Sequence, residues 1–91
     1  MRESRTYRVI GRVQGVGFRW FTYDVAEREG LTGVVGNQRD GGVDITVEGD
    51  HEAIIRFERA IRRGPAGAHV VAVDVEIGPP TGQYVNFSIK E

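Results

Sequence analysis

The order in which two periodicities follow one another constrains this chain most. Residues 6–13 alternate, with Tyr7, Val9 and Val13 on one face and Thr6, Arg8, Ile10 and Arg12 on the other. That is the period of a half-buried strand. Phe18, Phe21 and Val25 then recur at helical spacing to about Glu29, where Gly30 supplies a stop. Residues 31–37 read as a short strand, Asp40-Gly41-Gly42 as a hairpin turn, and Val43, Ile45 and Val47 alternate with Asp44, Thr46 and Glu48 in a third strand. A second helix follows, with Asp50 as N-cap, Glu52 in its first turn, Ile54, Phe57 and Ile61 inward, and Arg62-Arg63-Gly64-Pro65 closing it. Val71, Val73, Val75 and Ile77 form one face of a fourth strand. After the Gly78-Pro79-Pro80-Thr81-Gly82 loop, Val85, Phe87 and Ile89 mark a fifth.

Every strand has one apolar face and each helix one apolar stripe. Two helices on one face of a mainly antiparallel sheet of about five strands hide them all and leave the other face to water. The expected fold is therefore α+β, a ferredoxin-like two-layer α/β sandwich with an added C-terminal strand. At 91 residues the chain builds one core, so residues 1–91 are expected to form one domain. This architecture serves RNA binders, metal carriers, regulatory domains and enzymes alike, so function has to be read from a site.

Composition removes several classes. With no cysteine there is neither a disulfide framework nor a thiolate metal site. His51 and His69 stand alone, without spaced carboxylate partners, and read as surface residues rather than metal ligands. No apolar run approaches the ~20 residues of a membrane helix, and residues 1–5 are charged rather than leader-like. A soluble, cytoplasmic protein with no membrane partner is the expectation. A net charge of −1 provides no global basic field for nucleic acid, and the open-face positions Arg8, Ile10, Arg12, Asp44, Thr46 and Glu48 contain no aromatic side chain for stacking bases. Attraction for an anion must be local, from Arg8, Arg12, Arg19 and Arg39.

The chemistry concentrates where the first strand hands over to the first helix, Gly11-Arg12-Val13-Gln14-Gly15-Val16-Gly17-Phe18-Arg19. Gly15 and Gly17 can take backbone angles that let successive amides converge on one point. The first amides of a helix lack internal partners, and Ser, Thr, Asp or Asn normally satisfies them, yet none stands at 15, 16 or 17. A phosphate oxygen fits this position, favoured by the helix dipole and by the planar guanidinium of Arg19. Other phosphate motifs fail on the same residues. No Gly-Lys-Ser/Thr follows, Trp20 stands where a dinucleotide fingerprint needs its third glycine, and Val13 stands where a cysteine phosphatase needs its nucleophile. Trp20 and Tyr23 read as packing or a partly exposed rim, and Arg56, Arg59, Arg62 and Arg63 as the solvated side of the second helix.

This nine-residue stretch resembles the first signature of the acylphosphatases at every position. Gly33-Val34-Val35-Gly36-Asn37, with Gly41-x-Val43 and Gly49, resembles their second, and the likeness continues through Arg63-Gly64-Pro65 and Pro80-Thr81-Gly82. Two positions depart from the family pattern: Val34 replaces a common aromatic, and Gly36 a longer, often basic side chain. The resemblance implies hydrolysis of the carboxyl–phosphate anhydride of small acyl phosphates to a carboxylate and inorganic phosphate, by direct attack of water, with no cofactor and no metal. It further implies that Arg19 and the loop amides of Gln14, Gly15, Val16, Gly17, Phe18 and Arg19 hold the phosphate, and that Asn37 orients the water. Taken alone, an asparagine before a turn is as readily there for backbone hydrogen bonds. Gln14 either points at the ligand or offers only its backbone. Phosphate and sulfate are expected to inhibit, and the protein to be a monomer. The alternative is a non-catalytic anion-binding or regulatory module, which would keep the cradle and tolerate loss of Asn37. A similar domain opens larger hydrogenase-maturation carbamoyltransferases, whose zinc-binding region needs cysteine pairs that this sequence does not contain.

Overall fold

Alternating apolar residues place Tyr7 and Val9 of β1 (Arg2–Arg12) against Val43, Ile45 and Val47 of β3 (Val43–Asp50), all at most 1% exposed in the computed structural model, which describes residues 1–90. Between them in sequence lie α1 (Phe18–Arg28) and β2 (Thr32–Asn37); α2 (His51–Arg63), β4 (His69–Gly78) and β5 (Phe87–Lys90) complete the order. The sheet runs β4-β1-β3-β2-β5, antiparallel throughout except for the β2·β5 pair. Phe18 and Val25 of α1 and Ile54, Phe57 and Ile61 of α2 complete one core with the buried face of this sheet. The ferredoxin-like α+β sandwich is thus what the chain forms.

Strand β1 begins four residues before its apolar alternation, because Arg2 to Arg5 pair with Asp50 to Val47 whatever their side chains. Arg5 is buried on the core side, where Nε donates to Glu3 Oε2 (2.5 Å) and Nη1 to Glu58 Oε1 (2.6 Å); the Tyr7 hydroxyl donates to the same Glu58 oxygen (3.1 Å). Burial pushes the Glu58 carboxyl up, but hydrogen bonds from Arg62, Arg5 and Tyr7 outweigh it and hold the group below its ordinary value.

Three expected core positions are instead exposed, namely Val71, Ile77 and Val85. The β1·β4 register shifts between Ile10 and Gly11, so that Ile10 pairs with Ala72 but Gly11 with Val70. This bulge puts Val71 out of phase and turns Val70 inward. Gly11 makes it feasible, since a Cβ there would lie 2.1 Å from the His69 carbonyl oxygen. Ile77 pairs across the sheet with Arg5, so the ion pair with Glu58, rather than apolar core, lies beside it. Val85 precedes β5 in the connection from β4.

That connection has to pass from one edge of the sheet to the other, and Glu48 of the central strand holds it on the way. Its carboxylate accepts the amides of Thr81 (3.0 and 3.1 Å) and Gly82 (2.9 Å) and the Thr81 hydroxyl (2.5 Å). Burial pushes this carboxyl up, and the Thr81 and Gly82 bonds pull it further down, for a net shift below its ordinary value. Glu48 is consequently 1% exposed on the face expected to be open, covered by a loop that the alternation of β3 does not foretell.

Candidate active site

Because β1 and β2 are both antiparallel to β3, they are parallel to each other and finish at the same rim of the sheet. The loop after β1 and the last residue of β2 therefore meet. Val13, Gly15, Gly17, Phe18, Arg19, Trp20 and Asn37 line a cleft of about 250 Å³ there.

Phe18, 1% exposed, anchors the first turn of α1 in the core, and the buried Thr22 hydroxyl satisfies itself on the Phe18 carbonyl at 2.8 Å. Gly15 and Gly17 have φ of 75° and 77°, in the left-handed region that glycine enters without strain, and a Cβ at either would point into open space. Gly17 caps α1 with no side-chain bond, and the first turn holds no acidic residue. The first backbone bond is from the Phe21 amide to the Gly17 carbonyl, at 3.0 Å. Among the described residues, the amides of residues 15–20 donate to no backbone or side-chain acceptor. Nor, among the described residues, does any carboxylate lie within 4.0 Å of Arg12, Arg19 or Arg39. Unpaired amides, the positive end of a helix and an unneutralised guanidinium thus face one cleft, which is the chemistry of an anion site.

Of the residues singled out from the sequence, Gly15, Gly17, Phe18, Arg19 and Asn37 come together in the cleft. Val16 packs its side chain against the core and does not line the cleft. Gln14 turns its side-chain amide away to the β2–β3 turn, donating to the carbonyls of Gln38 (2.6 Å) and Gly42 (2.9 Å). Arg8, one of the four arginines expected to attract anions, is taken by Asp40 and lies 3.4 Å from Asp44. A larger groove of about 300 Å³ on the open face is lined by this Arg8 together with Asp44, Asp74 and Glu76, a charge balance that repels phosphate. Trp20 is at the mouth of the cleft, 65% exposed, its ring set edge-on to Tyr23 at 5.8 Å. Helical spacing alone did not distinguish this rim position from packing.

At the departure from the family pattern at Gly36, a Cβ would lie 3.3 Å from the Lys90 Cβ, so the Lys90 stem covers the ground that a longer side chain would take. No described helix is long and apolar enough to cross a membrane.

The acylphosphatase family model matches residues 5–89. An acylphosphatase of Lactobacillus johnsonii is 45% identical over 88 residues, which is 96% of this chain and 97% of its own length. One from Thermotoga maritima is 49% identical over 83 residues, covering 91% of each chain. The crystal structure of the acylphosphatase from Bacillus subtilis superimposes with a TM-score of 0.92 at 36% identity, over the whole of both chains.

Proposed function

The chain belongs to the acylphosphatase family, and from that premise we propose that residues 1–91 act as one catalytic domain in which Arg19 and the amides of residues 14–19 hold the phosphoryl group while Asn37 orients the attacking water. The activity is hydrolysis of the carboxyl–phosphate anhydride of small acyl phosphates. The observation that carries the residue assignment is the uncapped start of α1 opposite Asn37 across one cleft.

In this mechanism water attacks phosphorus in line with the bond to the acyl oxygen. That bond breaks and its electron pair leaves with the carboxylate. Phosphoryl transfer needs positioning and charge neutralisation more than covalent participation, and loop amides with a forked guanidinium supply both. Among the described residues no Asp, Glu or His lines the cleft, so the water proton passes to a non-bridging oxygen of the substrate's own phosphate. A carboxylate leaves readily enough for that weak base to suffice. The Asn37 amide does not titrate in the working range; it orients the water without taking its proton. The exposed indole of Trp20 gives the acyl group an apolar surface at the mouth. The reading requires no metal and no cofactor, and takes the working protein as a monomer that inorganic phosphate and sulfate inhibit competitively.

The test is steady-state turnover of an acyl phosphate by the wild type and by Arg19→Lys, with melting followed in parallel. Lysine keeps the charge but cannot reproduce the planar fork. A folded Arg19→Lys protein should lose most of its turnover. Full turnover in that protein would remove Arg19 from the assignment.

A further inference from the structure

The two halves of the cleft come from separate parts of the chain, the loop after β1 and the end of β2, with β3 lying between those strands. One side chain bridges them. The Gln14 amide nitrogen has two hydrogens, and they go to the carbonyl of Gln38, next in sequence to Asn37, and to that of Gly42, just before the residue paired with Asn37. Both carbonyls already accept bonds inside the turn, Gln38 from the Gly41 amide (3.1 Å) and Gly42 from the Gln38 amide (2.8 Å). The turn therefore closes without Gln14. Asp40 also accepts the Gly42 amide at 2.9 Å and pairs with Arg8, tethering the same turn to the middle of β1. What the Gln14 fork adds is a fixed relation between the turn and the phosphate loop, since Gly15 follows it directly.

We propose that Gln14 is a positioning residue, which sets Asn37, through the β2–β3 turn, at the distance from the phosphate loop that in-line attack requires. Its side chain, taken up by the two turn carbonyls, touches neither substrate nor water. The proposal rests on the reading of Asn37 as the residue that orients the water. A displacement of about 1 Å in such an arrangement costs on the order of 10²-fold in rate. A loose turn should therefore lower kcat and leave anion binding, which the α1 loop performs, nearly as it was.

The experiment is a double-mutant cycle of Gln14→Met and Asn37→Ala, reading kcat on an acyl phosphate, the inhibition constant of inorganic phosphate and the melting temperature for all four proteins. Methionine matches glutamine in length and has no donor. Gln14→Met should lower kcat roughly 10- to 100-fold with the phosphate inhibition constant nearly unchanged, and should cost no further turnover once Asn37 is Ala. An equal loss in both backgrounds, an unchanged kcat, or a loss of phosphate inhibition parallel to the loss of kcat would each overturn the proposal. Normal turnover in Asn37→Ala alone would instead remove the reading on which it rests. If Gln14→Met has no cooperative melting transition, Gln14→Asn, an amide one methylene too short for the fork, carries the same cycle.

Discussion

The two helices pack on the same face of the same sheet and begin in opposite ways. Helix α2 starts from Asp50 in extended backbone; its carboxylate accepts the Glu52 amide at 3.2 Å, and Glu52 adds a negative charge to the first turn. Helix α1 starts from Gly17 in left-handed backbone, with no side-chain cap and no acid in its first turn. Both starts present the same orphan donors and the same positive dipole end. One fills them from within, and the other leaves them without a side-chain cap. The Glu48 site is a third case: Thr81 and Gly82 offer two amides and a hydroxyl to an internal carboxylate, the arrangement that the proposed site has the α1 loop offer to an anion from outside.

The comparison breaks most severely at Arg19. Charge-assisted hydrogen bonds contribute roughly 1.5–3 kcal/mol each, so losing two of them in Arg19→Ala should lower turnover by about 10²–10⁴ with the fold intact. Steady-state kinetics on the folded variant measures this. Next comes Asn37→Ala, expected to reduce kcat on the order of 10²–10³ while the phosphate inhibition constant stays nearly unchanged, because the proposal has the other half of the cleft hold the anion. Joint collapse of both quantities in a folded Asn37→Ala protein would show that Asn37 belongs to the anion site itself.

The internally filled site predicts stability rather than rate. Glu48→Gln leaves three donors to share one carbonyl oxygen and should destabilise the protein by roughly 2–3 kcal/mol near neutral pH, measured by denaturant unfolding. The folded carboxyl of Glu48 lies below its unfolded value, so its contribution is fully present above the ordinary carboxylate range and disappears as pH falls through the folded value. The gap between wild type and Glu48→Gln should therefore narrow on acidification; a gap that widens contradicts the assignment. Asp50→Ala sharpens the contrast from the other side, lowering the melting temperature while leaving turnover as it is. The smallest effect is expected at Trp20. Trp20→Ala should reduce the preference for an aromatic over an acetyl phosphate about 2- to 10-fold in kcat/KM, within the range of aromatic contact energies.

Much of this is legible in the residue types alone. The absence of a cap at residues 15–17 is a statement about residue types, and the left-handed angles at Gly15 and Gly17 follow it. The fold followed from alternation in β1 to β3 and from the stripes on the two helices. What stayed hidden depends on contacts between distant segments. The bulge at Gly11 shifts the phase of β4, so Val71 is exposed although it alternates correctly with Val73. Burial of Glu48 depends on residues 33 and 34 positions further along, whose composition announces only a turn. Asn37 owed its assignment to a family resemblance, since nothing local separates it from an ordinary pre-turn asparagine. That its strand ends at the rim where β1 also ends is a property of topology. Gln14 likewise enters the ligand site through the resemblance, which leaves open whether its side chain points at the ligand; the bonds of that side chain to a turn 24 and 28 residues away depend on contacts no local pattern shows.

The central claim is that the start of α1 is an anion site and the start of α2 is not. Titration of the wild-type protein with inorganic phosphate, followed by amide nuclear magnetic resonance, tests it most directly. The amides of residues 15–20 should shift together and saturate with a single dissociation constant equal to the inhibition constant for phosphate, while those of His51, Glu52 and Ala53 stay in place; in Arg19→Ala the response should vanish. Shifts centred on α2 or on the open face, or shifts at the α1 loop that persist undiminished in Arg19→Ala, would contradict the account.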